Sequence, residues 1–107
     1  LSKKREELKR DGRKILSKIN RKQIEKYNIH LTETLVEAGS GSSPEQKLES
    51  MALSFQSDEI GVNKIAKKFR MALIPVVGYI SENIFYIDLK ALLPRQYIKL
   101  AKIINNL

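Results

Sequence analysis

Residues 74–94 read IPVVGYISENIFYIDLKALLP. Pro75 stops any helix arriving from Ala72, because it lacks a donor and pushes the residue before it out of the helical region. Val76, Val77, Tyr79 and Ile80 then make a short strand. Ser81-Glu82-Asn83 forms the turn, with Asn83 suited to a left-handed backbone, and Ile84 to Leu89 returns as the partner strand. Pro94 opens a final helix, where a missing N–H costs nothing. Tyr97, Leu100, Ala101 and Ile104 give that helix a buried side. The stretch is a hairpin between two helices, and it holds no obvious nucleophile, metal-ligand pair or phosphate loop.

Upstream, Val62, Ile65, Ala66 and Phe69 recur at helical spacing, so residues 60–72 form an amphipathic helix with Lys64, Lys67, Lys68 and Arg70 outside. Ser57, Asp58 and Glu59 supply its start signals. KLESMALSF, residues 47–55, is a strand with Met51, Leu53 and Phe55 on one face. AGSGSSPEQ, residues 38–46, is a loop by composition. Its glycines permit close backbone approach, so it serves either as an anion cradle or as a plain connection; no Lys-Ser/Thr follows to make it a P-loop. Residues 28–37 alternate as a strand, with Ile29, Leu31 and Leu35 on one side and His30, Thr32, Thr34 and Val36 on the other. Residues 2–26 read as a leading helix with a narrow apolar stripe of Leu8, Ile15, Leu16 and Ile19. Gly12 there predicts a bend or break near Asp11-Gly12. The order is helix, strand, strand, helix, hairpin, helix. The expected fold is α+β, a two-layer sandwich of about four strands with helices over one face. Residues 1–107 make a single domain: 1–26 the leading helix and 28–107 the αβ part.

The chain has 107 residues, with 20 lysines and arginines against 12 acids and a net charge of +8. Such a surface attracts anions, nucleic acid among them, although basic surfaces also serve solubility alone. Without cysteine there is no disulfide framework or thiolate metal site, which fits the reducing cytoplasm where the protein is expected. No apolar run approaches the ~20 residues of a membrane span. LSKKREELKRDGRK has no signal core and no initiating Met, so the chain is expected to be a piece of a longer protein.

Enzymatic constellations do not emerge. Glu33 and Glu37 share a strand but have no pocket around them. Ser40, Ser42 and Ser43 have no neighbouring histidine, and the lone His30 has no second ligand or base at a useful spacing. The expectation is no catalytic residue and no metal site in this chain.

Gly39-Ser40-Gly41-Ser42-Ser43-Pro44, then Leu48-Glu49-Ser50, then IPVVGYI and IDLKALLP resemble the C-terminal domain of the bacterial selenocysteine synthase family, L-seryl-tRNA(Sec) selenium transferase. Gly39, Gly41, Ser42 and Pro44 match the family's glycine-rich motif, and Leu48 and Ser50 the next. Pro75, Val76, Gly78 and Ile80 match its PPVIGRI, and Asp88, Leu89, Leu93 and Pro94 its LLDLRTVLP. The resemblance covers roughly residues 30–107, with 1–26 fitting the preceding helix. Ser40, Ser43 and Glu49 depart from the pattern, and Tyr79 and Lys90 stand where the family has arginine. The resemblance implies the small C-terminal domain of a fold-type I pyridoxal-phosphate enzyme. Its cofactor, an electron sink, is held by a lysine of a large domain outside this chain, and none is bound here. It implies as partners that large domain, further copies of the full-length protein and tRNA, with seryl-tRNA and selenophosphate as substrates. Gly39, Gly41, Ser42 and Tyr79 are the substrate-cleft candidates. The alternatives are a stand-alone basic nucleic-acid-binding module, or an oligomerising domain of a diverged homologue without selenium chemistry.

Overall fold

Alternation along KLESMALSF puts Met51, Leu53 and Phe55 on one side of a strand, and that side forms the floor of the core. The computed structural model describes residues 4–37, 47–72, 74, 76 and 78–107. Its elements are α1 (Arg5–Ser17), α2 (Arg21–Lys26), β1 (His30–Glu37), β2 (Lys47–Phe55), α3 (Val62–Arg70), β3 (Tyr79–Ser81), β4 (Ile84–Asp88) and α4 (Tyr97–Asn105). Two single 3-10 turns, Leu89–Ala91 and Pro94–Gln96, lead from β4 into α4. The strands form one antiparallel sheet in the order β1-β2-β4-β3. The fold is the expected α+β sandwich, with the helices packed over one face.

Three phenylalanines from three elements meet under those helices. Phe69 of α3 lies with its ring centroid 5.0 Å from Phe55 of β2 and 5.3 Å from Phe85 of β4, and all three are buried. Leu8 and Ile15 of α1 and Leu100 and Ile104 of α4 extend the same core. Each such side chain contributes roughly 1.5–3 kcal/mol by leaving water.

The leading segment departs from expectation. It is two helices, and the break lies at Lys18–Asn20 rather than near Gly12. The reason is tertiary. The Asn105 side chain donates to Lys18 O (3.0 Å) and accepts from Asn20 N–H (2.8 Å), satisfying the backbone groups that the break frees. Gln23 adds a buried bond from Nε2 to Ile104 O (2.7 Å). Gly12 instead lies within α1, where the helix crosses so close to the sheet that a Cβ would run into the Leu31 and Leu89 side chains. Asn28, with φ 47°, then closes α2, as the Ile29 N–H reaches back to Ile24 O.

The first turn of α1 is tied to the distal half of the β1–β2 hairpin by Arg5. Its Nε donates to Ser50 O (3.1 Å) and its Nη2 to Thr34 O (2.6 Å), while Nη1 lies between Glu33 and Glu49. Both carboxylates are largely exposed, so the two carbonyl bonds carry most of this tie. Beyond Arg5 the hairpin outruns the helices. Leu35 therefore lies on the helix side of the sheet and is still exposed, although its alternation predicts burial.

The β3–β4 turn is tighter than expected. Ser81 pairs with Ile84, leaving Glu82 and Asn83 alone in the turn, both with positive φ (49° and 64°). That is the mirror-image turn whose twist suits a two-residue hairpin. Pro75 and Val77 lie outside the described residues. Val76 is buried, and its N–H donates to Phe69 O (3.1 Å), so the chain leaving α3 turns back under the core before β3 begins. Ser57, expected to start α3, accepts from the Glu59 and Ile60 N–H groups, and the helix begins after Gly61.

Candidate functional site

The pairing register places side chains in rows across the sheet face opposite the helices. One row runs His30, Ser54, Tyr86, Tyr79, and the next runs Thr32, Ala52, Asp88. The central strand carries short side chains there: Ser50, Ala52 and Ser54 are all buried. Thr32 Oγ1 and Ser54 Oγ share a hydrogen bond (3.0 Å), and Ser50 Oγ donates to Asp88 Oδ1 (2.8 Å). Asp88 Oδ1 also accepts from Lys90 N–H (2.8 Å), capping the 3-10 turn that ends β4. Two buried polar atoms on this face, Asp88 Oδ2 and Thr34 Oγ1, have no partner among the described residues.

Tyr79 stands at the edge of this face, 41 % exposed, with its ring stacked on Tyr86 at 5.1 Å and 16° between planes. Desolvation first, then the charge of Asp88 and the neighbouring Tyr86, hold its phenol above the ordinary value of 10.0. The neutral phenol is therefore favoured in the folded protein. That contribution is complete below the ordinary tyrosine range and is lost as pH rises through the raised value. We expect Asp88→Asn to move the Tyr79 midpoint part of the way back toward the ordinary range. An ultraviolet phenolate titration, with Tyr79→Phe identifying its signal, checks this; an unmoved midpoint contradicts the coupling.

Of the candidates read from the sequence, Tyr79 is the one described here. Gly39, Gly41 and Ser42 lie outside the described residues. The flanks of their loop, Glu37 and Lys47, pair with each other seven residues along β2 from Ser54. At about 3.4 Å per residue that is roughly 24 Å from the Tyr79 row. The sheet thus sets the anchors of the loop and Tyr79 at opposite ends. His30 is exposed, with its ring Nδ1 2.9 Å from Asn28 O. Lys90 is half-buried beside a shallow pocket that it shares with Arg5, Glu33, Lys47 and Glu49. Sequence reasoning missed Tyr86, Asp88 as a network centre, and the serine row. The signal available was the strict alternation of Ser50, Ala52 and Ser54 against Met51, Leu53 and Phe55.

Exposed cations line the outside of α1 and α2, among them Arg10, Arg13, Lys14, Lys18, Arg21 and Lys22. Among the described residues no cluster of three metal-ligating side chains occurs, and no helix is long and apolar enough to cross a membrane.

The family model described as L-seryl-tRNA selenium transferase matches residues 1–93. This chain belongs to the L-seryl-tRNA selenium transferase family. Among curated proteins it is similar to the L-seryl-tRNA(Sec) selenium transferase of Desulfotalea psychrophila, 27% identical over 81 residues, 76% of this chain and 17% of that protein. The transferase of that name from Clostridium botulinum (strain Hall) is 27% identical over 74 residues, 69% of this chain and 16% of its own length. That of Alkaliphilus oremlandii is 31% identical over 61 residues, 57% and 13%. The transferase-family chain thus spans about a sixth of the length of the curated relatives that it matches.

The pyridoxal phosphate implied by the resemblance needs a lysine in a desolvated pocket, where the amine becomes nucleophilic. No described lysine of this transferase-family chain is buried. Among the described residues no lysine offers that setting, and no chemical step is assigned to them.

Proposed function

We propose that this chain is the C-terminal small domain of a pyridoxal-phosphate-dependent transferase that converts seryl-tRNA(Sec) to selenocysteinyl-tRNA(Sec) with selenophosphate. The observation that carries the reading is the family match over residues 1–93, in a chain that aligns with only 17% of a full-length relative. The cofactor belongs to a large domain of the same polypeptide, and this domain closes over the cleft without supplying a catalytic residue. Tyr79, stacked on Tyr86, is the described side chain assigned to the cleft edge. Gly39, Gly41 and Ser42 keep the cleft role that the resemblance implies. The assembly is a homo-oligomer in the cytoplasm.

The test is conversion of seryl-tRNA(Sec) in the presence of selenophosphate by the longer polypeptide, beside tRNA binding by residues 1–107 alone. The reading expects conversion by the longer polypeptide and weak binding by the isolated domain. A second reading, favoured by the exposed cations of α1 and α2, is a stand-alone nucleic-acid module. It expects tight binding by the isolated chain, with a steep loss as salt rises and no conversion.

A further inference from the structure

Four of the exposed large apolar side chains, Met71, Ile74, Tyr79 and Ile80, fall within residues 71–80, and Met71 is 75% exposed. Tyr79 and Ile80 lie on β3, an edge strand whose outward N–H and C=O groups meet no described strand, and Met71 and Ile74 precede it after the end of α3. Edge strands are usually blunted by charged side chains, and β3 reads Tyr-Ile-Ser. One concave pocket, floored by Val76 and Phe85, opens at β3, and two more open where α4 meets residues 68–76. Their charged side chains are Lys68, Arg70, Arg95, Lys99 and Lys102, with no aspartate or glutamate among the described lining residues. The pocket at the other end of the sheet differs, mixing Lys4, Arg5, Lys47 and Lys90 with Glu6, Glu33 and Glu49.

An apolar strip inside a rim of one charge has the anatomy of an interface rather than of a solvated edge. We infer that this edge docks a protein surface that is apolar at its centre and bears carboxylates at its rim, supplied by the larger remainder of the same transferase polypeptide. The inference rests on the reading under Proposed function, where most of the length of the relatives lies outside the segment matched here. RNA phosphates would satisfy the cations and leave Met71, Ile74 and Ile80 in water. A protein surface satisfies both, and it can extend the sheet from β3 by main-chain pairing.

The experiment is hydrogen–deuterium exchange on residues 1–107 alone and on the longer polypeptide that carries them. Docking slows exchange of amides 78–81 about tenfold or more in the longer polypeptide, a factor equal to about 1.4 kcal/mol. The double substitution Met71→Asp with Ile80→Asp, both at exposed positions, returns those rates to the isolated-domain values. Protection confined to the Thr32, Ser54 and Tyr86 face overturns the inference and leaves the transferase reading intact. So does protection of 78–81 that appears only when tRNA is added. A longer polypeptide with no pyridoxal-phosphate domain overturns both.

Discussion

Replacing Phe69 with alanine lowers the unfolding free energy by about 4 kcal/mol, inside the usual range for a fully buried aromatic. Phe69 has no solvent exposure and touches Phe55 and Phe85, so its ring joins α3 to both central strands. No other described helix places a phenylalanine or tryptophan on the sheet, so no other helix replaces the ring that is lost. The Phe69 carbonyl also holds Val76, which leads into β3. Loosening α3 therefore loosens the edge at 71–80 as well. Small domains are stable by roughly 5–15 kcal/mol, so this loss is a large share of the total. Urea unfolding shows it as a lower midpoint with an unchanged slope. Phe69→Leu, which keeps most of the volume, loses less than half as much. A Phe69→Ala midpoint within experimental error of the parent contradicts the packing described.

Gly78→Ala has the second largest effect, a loss of about 3 kcal/mol, at the upper end for overpacking. A Cβ on Gly78 would overlap the Tyr86 carbonyl oxygen and the Phe85 ring. The first of these is backbone of a central strand and has no rotamer with which to yield. The strain therefore displaces β3 from β4, and with it the stacked pair Tyr79–Tyr86. Gly61→Ala is the control. Gly61 has open space around it, and its φ of −62° is available to any residue. The expected change there is within about 1 kcal/mol, set by the loss of a good N-cap against a less flexible unfolded chain. Equal losses at the two glycines, read from the same urea curves, contradict the close approach at Gly78.

Much of this architecture is legible in the residues because local and long-range preferences agree. KLESMALSF alternates cleanly and is β2 over its whole length; Val62, Ile65, Ala66 and Phe69 share one helix face and pack as that face requires. Pro94 opens the 3-10 turn that leads into α4, where the residues place the start of the last helix. What the residues hide is decided by partners far along the chain. The break at Lys18–Asn20 depends on Asn105, 85 positions from Asn20, and no local pattern announces that bond. Gly12 reads as a weak point of a helix when its purpose is a close crossing over Leu31 and Leu89. Leu35 alternates correctly, yet the helices stop short of it. In the candidate site, Tyr79 stood out because the family has arginine there. Its stacking partner and the serine row did not, because a polar sheet face reads as solvated surface until the register aligns it. The remaining candidates, Gly39, Gly41 and Ser42, lie outside the described residues, between strand ends that the sheet sets far from Tyr79.

Under the proposed function, this domain assists a chemistry whose cofactor is bound elsewhere in the polypeptide. Borohydride reduction in the presence of pyridoxal phosphate, followed by peptide mass mapping, fixes the cofactor to whichever lysine holds it. The prediction is a labelled lysine in the longer polypeptide outside residues 1–107, with no stoichiometric label on the isolated chain. A single lysine within residues 1–107 labelled stoichiometrically contradicts it.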